Sequence, residues 1–136
     1  MIVVDTGVLL AAVSSTDRHH RESAALLAAH AGQIVTPALV IAEAAWMIES
    51  VVGPSAEAAF VTSAANGELG IEDLTLNDYH RCAELIERYA DLGLGLVDAS
   101  VVAIAERKEV TVVATLNHRD FTVVRPRHCE ALELLP

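Results

Sequence analysis

A short β-branched run at the start of the chain, Ile2–Val4, ends abruptly at the carboxylate of Asp5. β-Branched residues favour strands, and an uninterrupted apolar run is typical of a strand buried in a sheet. Gly7 can adopt turn conformations that other residues avoid, and the apolar run Val8–Val13 then predicts a helix. Asp5 is therefore expected at the carboxyl end of a central strand, where open α/β sheets bind ligands. The alternative is that Asp5 only caps the following helix.

Predicted strands and helices alternate along the rest of the chain. Short apolar runs predict the strands, and longer Ala- and Leu-rich segments predict the helices. Strands are expected at 33–36, 69–74 and 110–114, helices at 17–31, 37–52, 55–65, 76–90 and 98–105, and short edge strands at 122–124 and 132–135. The alternation favours one α/β domain, residues 1–136, with a central, mostly parallel sheet flanked by helices on both faces.

Two of these helices carry expectations about individual side chains. Asn77 or Asp78 is expected to cap the helix at 76–90, since both residue types accept hydrogen bonds from the first turn. The helix at 37–52 is expected to draw its apolar surface from Leu39, Ala42, Trp46 and Ile48.

The chain is strongly acidic, with a formal net charge of −10, one lysine and eight arginines. A protein that holds nucleic acid through phosphates normally carries positive charge. The net negative charge of this chain therefore argues against a protein that binds nucleic acid mainly through phosphate contacts. The one basic cluster lies near the C-terminus and comprises Arg119, Arg125 and Arg127 with His118 and His128. It predicts either a local contact for an anionic partner or a solvated face.

Nothing in the sequence predicts a membrane span or a signal peptide. Every apolar run is too short to cross a bilayer, and the first residues lack a basic n-region. The two cysteines, Cys82 and Cys129, are far apart and do not have the spacing of a zinc site. We therefore expect a cytoplasmic protein with free thiols and no membrane association.

Polar side chains also occur at the start of a later helix and after a later strand. Asp98 stands at the start of an apolar helix, where it either caps the helix or has its carboxylate held by the positive end of the helix dipole. Asn117 and Asp120 lie in the loop predicted after the strand at 110–114.

Glu43 occupies an unusual position for a glutamate. It shares a helix face with Leu39 and Met47, because four residues separate each from the next. A lone glutamate on a helix is usually solvated, and that interpretation stays open for Glu43.

Carboxylates from these distant segments can meet at one edge of a βαβ sheet. Two carboxylates about 4 Å apart repel by about 4 kcal/mol at an effective dielectric constant near 20. A divalent cation would remove that repulsion, and an oxygen-only set such as Asp5, Glu43 and Asp98 suits Mg²⁺, with Mn²⁺ as a substitute, better than zinc.

Four segments in order along the chain resemble the PIN-domain family, and in particular the VapC toxins of bacterial toxin–antitoxin pairs. The resemblance extends over nearly the whole chain. It rests on Val3-Val-Asp-Thr-Gly-Val-Leu9, Pro37-Ala-Leu-Val-Ile-Ala-Glu43, Leu96-Val-Asp-Ala-Ser-Val-Val-Ala-Ile-Ala-Glu-Arg107 and Val113-Ala-Thr-Leu-Asn-His-Arg-Asp-Phe121.

The resemblance implies an endoribonuclease that uses Mg²⁺ to hydrolyse RNA phosphodiester bonds. Asp5 and Asp98 match the family's metal-binding aspartates, and Glu43 matches its helical acidic residue. The family often has a fourth acid where this chain has Asn117, which can coordinate a metal or position water but brings no charge. Asp120 is the other candidate to complete the site.

The resemblance also implies substrate contacts and partners. Thr6 stands where the family has a small hydroxyl residue and is expected to contact a metal-bound water or an RNA phosphate. Arg119 is a further candidate for positioning the substrate. The expected partners are RNA, a small VapB-like antitoxin that blocks the site, and a second copy of the chain in a homodimer.

Three alternatives remain at this point. A receiver-like signalling domain needs a lysine at a later strand end, whereas Lys108 is expected at the end of a helix. A phosphatase of the haloacid-dehalogenase type needs an aspartate two residues after Asp5, and that position is Gly7. A PIN-fold binding protein with weak or no catalysis is compatible with Asn117.

Overall fold

The computed structural model describes residues 1–136 as a parallel sheet of five strands with seven α-helices. The strands are Ile2–Val4 (β1), Ile34–Pro37 (β2), Ile71–Glu72 (β3), Val112–Ala114 (β4) and Glu133–Leu135 (β5). The helices are Thr6–Val13 (α1), His20–Ala29 (α2), Ala38–Val51 (α3), Pro54–Ala65 (α4), Leu76–Arg88 (α5), Leu96–Lys108 (α6) and His118–Val123 (α7). A short 3₁₀ turn, Ala90–Leu92, precedes α6.

The first strand lies at the centre of the sheet, whose order is β3-β2-β1-β4-β5. Val3 pairs with Val35 of β2 on one side and with Val113 of β4 on the other. Every residue of β1 and β2 is buried. Because successive side chains point to opposite faces of a sheet, burial of all of them means that both faces are covered. The predicted fold class is confirmed, and every strand pairing is parallel.

The hydrophobic core is one cluster of 28 buried residues around the sheet and α6. All seven residues from Ala99 to Ala105 of α6 are buried. A helix that is buried all round lies inside the protein rather than on its surface, which holds its first turn, with Asp98, in a fixed place. None of the helices combines the length and apolarity that crossing a bilayer requires.

The edge strand predicted at 122–124 is wrong, because these residues belong to the end of α7 and the chain that follows it. The loop predicted after the strand at 110–114, which was expected to contain both Asn117 and Asp120, is shorter than expected, since α7 begins at His118. Asn117 starts this helix: its side-chain oxygen accepts from the Asp120 backbone N–H at 3.4 Å, and its amide donates to the Asp120 carboxylate at 2.9 Å. This local capping overrides the β-branched character of 122–124.

Three smaller expectations are corrected. The cap of α5 is Thr75, not Asn77 or Asp78, and Asp78 completes a capping box by accepting from the Thr75 backbone N–H. Gly7 lies within α1 and has ordinary helical geometry. The predicted strand at 69–74 is reduced to two residues, whereas the predicted edge strand at 132–135 is present as β5.

Candidate active site

Asp5 lies where β1 ends and α1 begins, and only 6% of the residue is exposed. One carboxylate oxygen accepts from the Thr6 backbone N–H at 2.8 Å, which caps α1. The other accepts from the Thr115 hydroxyl at 2.9 Å. Asp5 therefore caps α1, as one interpretation of the sequence expected. It is also a buried carboxylate at the carboxyl end of the central strand, as the other interpretation expected.

Thr115 is a component of the site that sequence reasoning missed. It is fully buried directly after β4, and its hydroxyl oxygen also accepts from the Asn117 backbone N–H at 3.0 Å. One hydroxyl thus fixes the end of β1 relative to the segment after β4. The only sequence signal was its position at the carboxyl end of a strand next to β1.

A pocket of about 380 Å³ brings together four of the five residues expected to carry the chemistry. Its walls are Asp5, Thr6, Gly7, Glu43, Met47, Asp98, Leu116 and Asn117. Glu43 and Met47 come from one face of α3, as their spacing predicts. The hydroxyl of Thr6 is buried there without a hydrogen-bond partner.

Asp98 enters the pocket from the first turn of α6. Gly95 occupies the cap position, so Asp98 lies three residues inside the helix and the capping interpretation is wrong. The positive end of the α6 dipole lies beside its carboxylate.

Asn117 and Asp120 have different positions relative to the pocket. Asn117 lines it, whereas Asp120 does not and accepts a hydrogen bond from the Asn117 amide. Arg119 is 85% exposed and contacts the Asp120 carboxylate at 3.2 Å. The hydrogen bond from Asn117, with that from Arg119, lowers the pKa of Asp120 and keeps it ionised. Asp120 therefore adds charge beside the pocket without forming its wall.

The carboxylates affect one another electrostatically. Burial raises the pKa of Asp5, against the lowering effect of its hydrogen bonds from Thr115 and Thr6, and the nearby Glu43 raises it further. Burial also raises the pKa of Asp98 to about 6, with contributions from the charges of Asp5, Glu43 and Asp120. Asp5 and Asp98, which are 93 positions apart in sequence, therefore lie close enough for their charges to interact.

The raised pKa of Asp98 predicts how the metal-free protein responds to pH. A carboxyl group with a higher pKa in the folded state binds protons more tightly there, so folding becomes less favourable as pH rises from about 4 to above 6. Asp98→Asn should therefore be more stable than the wild type at pH 7.5 by about 1 kcal/mol, a value reduced for solvent screening of a half-buried group.

Thermal unfolding in EDTA between pH 4 and 7.5 measures this effect, with the exposed Asp91→Asn as the matched control. The advantage of Asp98→Asn should shrink steadily as pH falls toward 4, where the folded wild-type group is protonated and the unfolded group is partly protonated. A constant difference at all pH values would mean that Asp98 is not the group responsible.

The pocket's donors fit a hard divalent cation. Carboxylate and amide oxygens are the ligands that Mg²⁺ prefers, and no cysteine or histidine lines the pocket. No group of three His, Cys, Asp or Glu side chains is arranged to hold a metal in the structure. Mg²⁺ does not require such a cage, because it commonly binds one or two carboxylates and completes its shell with water and substrate phosphate.

Two larger cavities do not suit this chemistry. One, of about 480 Å³, lies between α1, α2 and α4, and Glu68 is the only ionisable residue in its mostly apolar wall. The other, of about 420 Å³, lies beside α5 and α6, where Arg81 pairs with Glu106 and Arg107 pairs with Asp78. The acidic pocket is therefore the candidate site despite its smaller volume.

The basic cluster predicted near the C-terminus is largely engaged within the protein. Arg125 donates to the backbone oxygen of Thr122 at 2.6 Å, and Arg127 pairs with Glu84 at 2.6 Å. Lys108 pairs with Glu72 at 3.5 Å and does not line the acidic pocket. The receiver-like alternative, which needs a lysine beside its aspartates, is therefore wrong.

Comparison with known proteins places this geometry in a family. The chain is 26% identical over 125 residues to the ribonuclease VapC26 of Mycobacterium tuberculosis, across 92% of this chain and 93% of that protein. The crystal structure of M. tuberculosis VapC20, described as a toxin that cleaves the sarcin–ricin loop, superposes with a TM-score of 0.78 at 21% identity, over 83% of this chain and 87% of that one.

A toxin–antitoxin complex from Klebsiella pneumoniae superposes with a TM-score of 0.70 at 22% identity, over 91% of this chain and 92% of that one. At these identities the structural matches show a shared fold. The sequence profile of the PIN domain matches residues 2–125, which is most of the chain. The chain therefore belongs to the PIN domain family.

Proposed function

We propose that this protein is an endoribonuclease that hydrolyses RNA phosphodiester bonds with Mg²⁺ and is the toxin of a toxin–antitoxin pair. The observation that carries the proposal is the meeting of Asp5, Glu43 and Asp98 in one pocket at the carboxyl edge of the central strand. The ribonuclease VapC26, similar along almost its full length, supports the choice of RNA as substrate.

Asp5, Glu43 and Asp98 are proposed to hold the metal, either as direct ligands or through the water molecules that complete its shell. Mg²⁺, when bound, would lower the pKa of a coordinated water and stabilise negative charge on the phosphate oxygens. No side chain has to attack the phosphorus. Asp5 is held rigidly by Thr6 and Thr115, so its carboxylate is in place before substrate binds.

Three further residues have supporting roles in this proposal. The Asn117 side chain lines the pocket and is fixed by Asp120, so it is suited to orient a water or the ion without adding charge. The unpartnered Thr6 hydroxyl can donate to a phosphate oxygen or a metal-bound water. Arg119 is exposed at the start of α7 and is proposed to contact the RNA backbone.

The proposed partner is a small VapB-like antitoxin that covers the acidic pocket. Similar folds occur in the K. pneumoniae complex described above and in VapBC2 of Rickettsia felis, which was crystallised with a promoter DNA fragment. We also propose that the chain forms a homodimer. Its two cysteines are free, which is consistent with an activity located in the reducing cytoplasm.

Replacing Glu43 tests the function directly. Glu43→Gln should lower the rate of RNA cleavage about 100-fold, because an amide cannot supply the charge that the ion requires. The measurement is cleavage of a fluorescently labelled RNA in millimolar Mg²⁺. The assay is repeated with EDTA, which should abolish wild-type cleavage.

Glu49→Gln is the matched control, since Glu49 lies on the same helix but is exposed and outside the pocket. It should cleave at the wild-type rate. If Glu43→Gln and EDTA leave cleavage unchanged, the activity does not come from this pocket. If the wild type does not cleave RNA at all, the alternative of a PIN-fold binding protein with weak or no catalysis replaces the proposal.

A further inference from the structure

The single tryptophan of the chain, Trp46, is 69% exposed on α3. Its sequence context predicted a contribution to the apolar packing surface of the helix, and that expectation is wrong. Large aromatic side chains are normally mostly buried, so this exposure requires an explanation. The residues one turn before and after it, Ala42 and Ser50, are small, and the Ser50 hydroxyl is turned back to the Trp46 backbone oxygen at 3.2 Å. Neither residue can cover the ring.

Trp46 lies beside the acidic pocket. It follows Glu43 by three residues, which places both side chains on adjacent strips of the helix surface. Side chains on a helix tend to point toward its N-terminus, which for Trp46 is the direction of the turn that carries Glu43. Met47, the next residue, lines the pocket on the other side of Glu43. Trp46 is thus next to the pocket-lining face of α3 on its solvent side, although it is not part of the pocket wall.

The charge distribution limits how this protein can hold RNA. The net charge is −10, and Arg81, Arg107 and Arg127 are paired with carboxylates. The overall charge therefore does not favour binding through many phosphate contacts. Stacking on an aromatic ring needs no positive charge and accepts any base, and it is a common means of binding unpaired nucleotides.

We propose that Trp46 is a substrate-positioning residue that stacks on an unpaired base of single-stranded RNA next to the phosphate held in the acidic pocket. The inference rests on the proposed ribonuclease function and deepens it. It identifies the substrate class as RNA with an accessible, unstacked base at the cleavage site, since a base inside a continuous helix cannot reach the ring.

The fluorescence of the single tryptophan provides a test that does not need catalysis. A single-stranded decaribonucleotide is titrated into the wild-type protein with Ca²⁺ in place of Mg²⁺ to slow hydrolysis. Stacking should quench the emission, and an RNA of the same length with abasic nucleotides, which has the same phosphates but no bases, should not quench it. Equal quenching by both, or none by either, would overturn the proposal.

Cleavage kinetics provide the second test. Trp46→Ala should lower kcat/KM about tenfold, mainly through a higher KM, and Trp46→Phe should restore most of it because a phenyl ring still stacks. Tyr79→Ala is the matched control, since Tyr79 is a 45% exposed aromatic residue on α5, outside the pocket. It should leave kcat/KM unchanged.

The outcomes distinguish the stacking role of Trp46 from the proposed nuclease function. Wild-type cleavage that is unaffected by Trp46→Ala overturns the stacking role and leaves the nuclease proposal intact. A wild type that does not cleave RNA removes the proposed function, and the fluorescence titration then decides the role of Trp46. If Trp46→Ala changes the oligomeric state in size-exclusion chromatography without changing the cleavage rate per protein chain, the ring belongs to a protein interface and the proposal is wrong.

Discussion

Asp5→Asn is expected to lower RNA cleavage about 1000-fold, which corresponds to about 4 kcal/mol of lost transition-state stabilisation. Asp5 is the most buried of the three pocket acids, and both of its oxygens are held in place by hydrogen bonds. An asparagine has the same shape and can still cap α1, so the fold should survive. The charge that an ion requires at the end of β1 would be lost.

Two measurements make this result interpretable. Thermal unfolding in EDTA should show that Asp5→Asn is at least as stable as the wild type, because burial raises the pKa of Asp5 and its ionised form opposes folding at neutral pH. Asp91→Asn, an exposed replacement of the same kind, should cleave normally. A folded Asp5→Asn variant that retains more than a tenth of the activity would contradict the metal-site assignment.

Gly70→Ala is expected to destabilise the protein by about 4 kcal/mol or more, the range of severe single substitutions. Gly70 precedes β3 with a φ of +54°, and its backbone oxygen accepts from the Thr36 N–H at 2.9 Å. A Cβ there would stand 2.1 Å from the backbone oxygen of Ile34. The Ile34 oxygen belongs to the main chain of β2, and the added Cβ would be fixed to the main chain that leads into β3, so the clash cannot be relieved without opening the β2–β3 pairing.

Gly67→Ala is the control that distinguishes the steric clash at Gly70 from the strain of a positive φ. Gly67 also has a positive φ, +82°, but a Cβ there would meet nothing within 4 Å. It should cost about 1 kcal/mol, the strain of a left-handed non-glycine residue. Urea unfolding of the two variants gives the comparison. Equal losses would show that the close approach at Gly70 has no effect of its own.

The sequence predicted the fold class and most of the pocket because these depend on local patterns. The run Ile2–Val4 is apolar at every position, which is the signature of a strand covered on both faces. Asp5 follows such a run, so it had to lie at the carboxyl edge of the parallel sheet, whereas Asp98 was identified from its place at the start of a helix. Glu43 was identified from its spacing with Met47, and both residues do line the pocket.

The remaining features depend on contacts that no local pattern records. Thr115 acts through a hydrogen bond to a residue 110 positions away, so its sequence neighbours could not reveal it. Trp46 lies in a helix with apolar residues on most of its faces, so periodicity could not show which face is solvent-exposed. At 122–124, β propensity favoured a strand, whereas the side-chain pair of Asn117 and Asp120 starts a helix just before it.

The hydrogen bond between Thr115 and Asp5 has a consequence for the protein during its synthesis. Asp5 is synthesised first, and the hydroxyl that anchors it and the amide at Asn117 follow more than 100 residues later. A nascent chain therefore carries no finished pocket until residues 115–117 have left the ribosome. If the protein cleaves RNA as proposed, the translating ribosome and its messenger are spared until that segment has emerged.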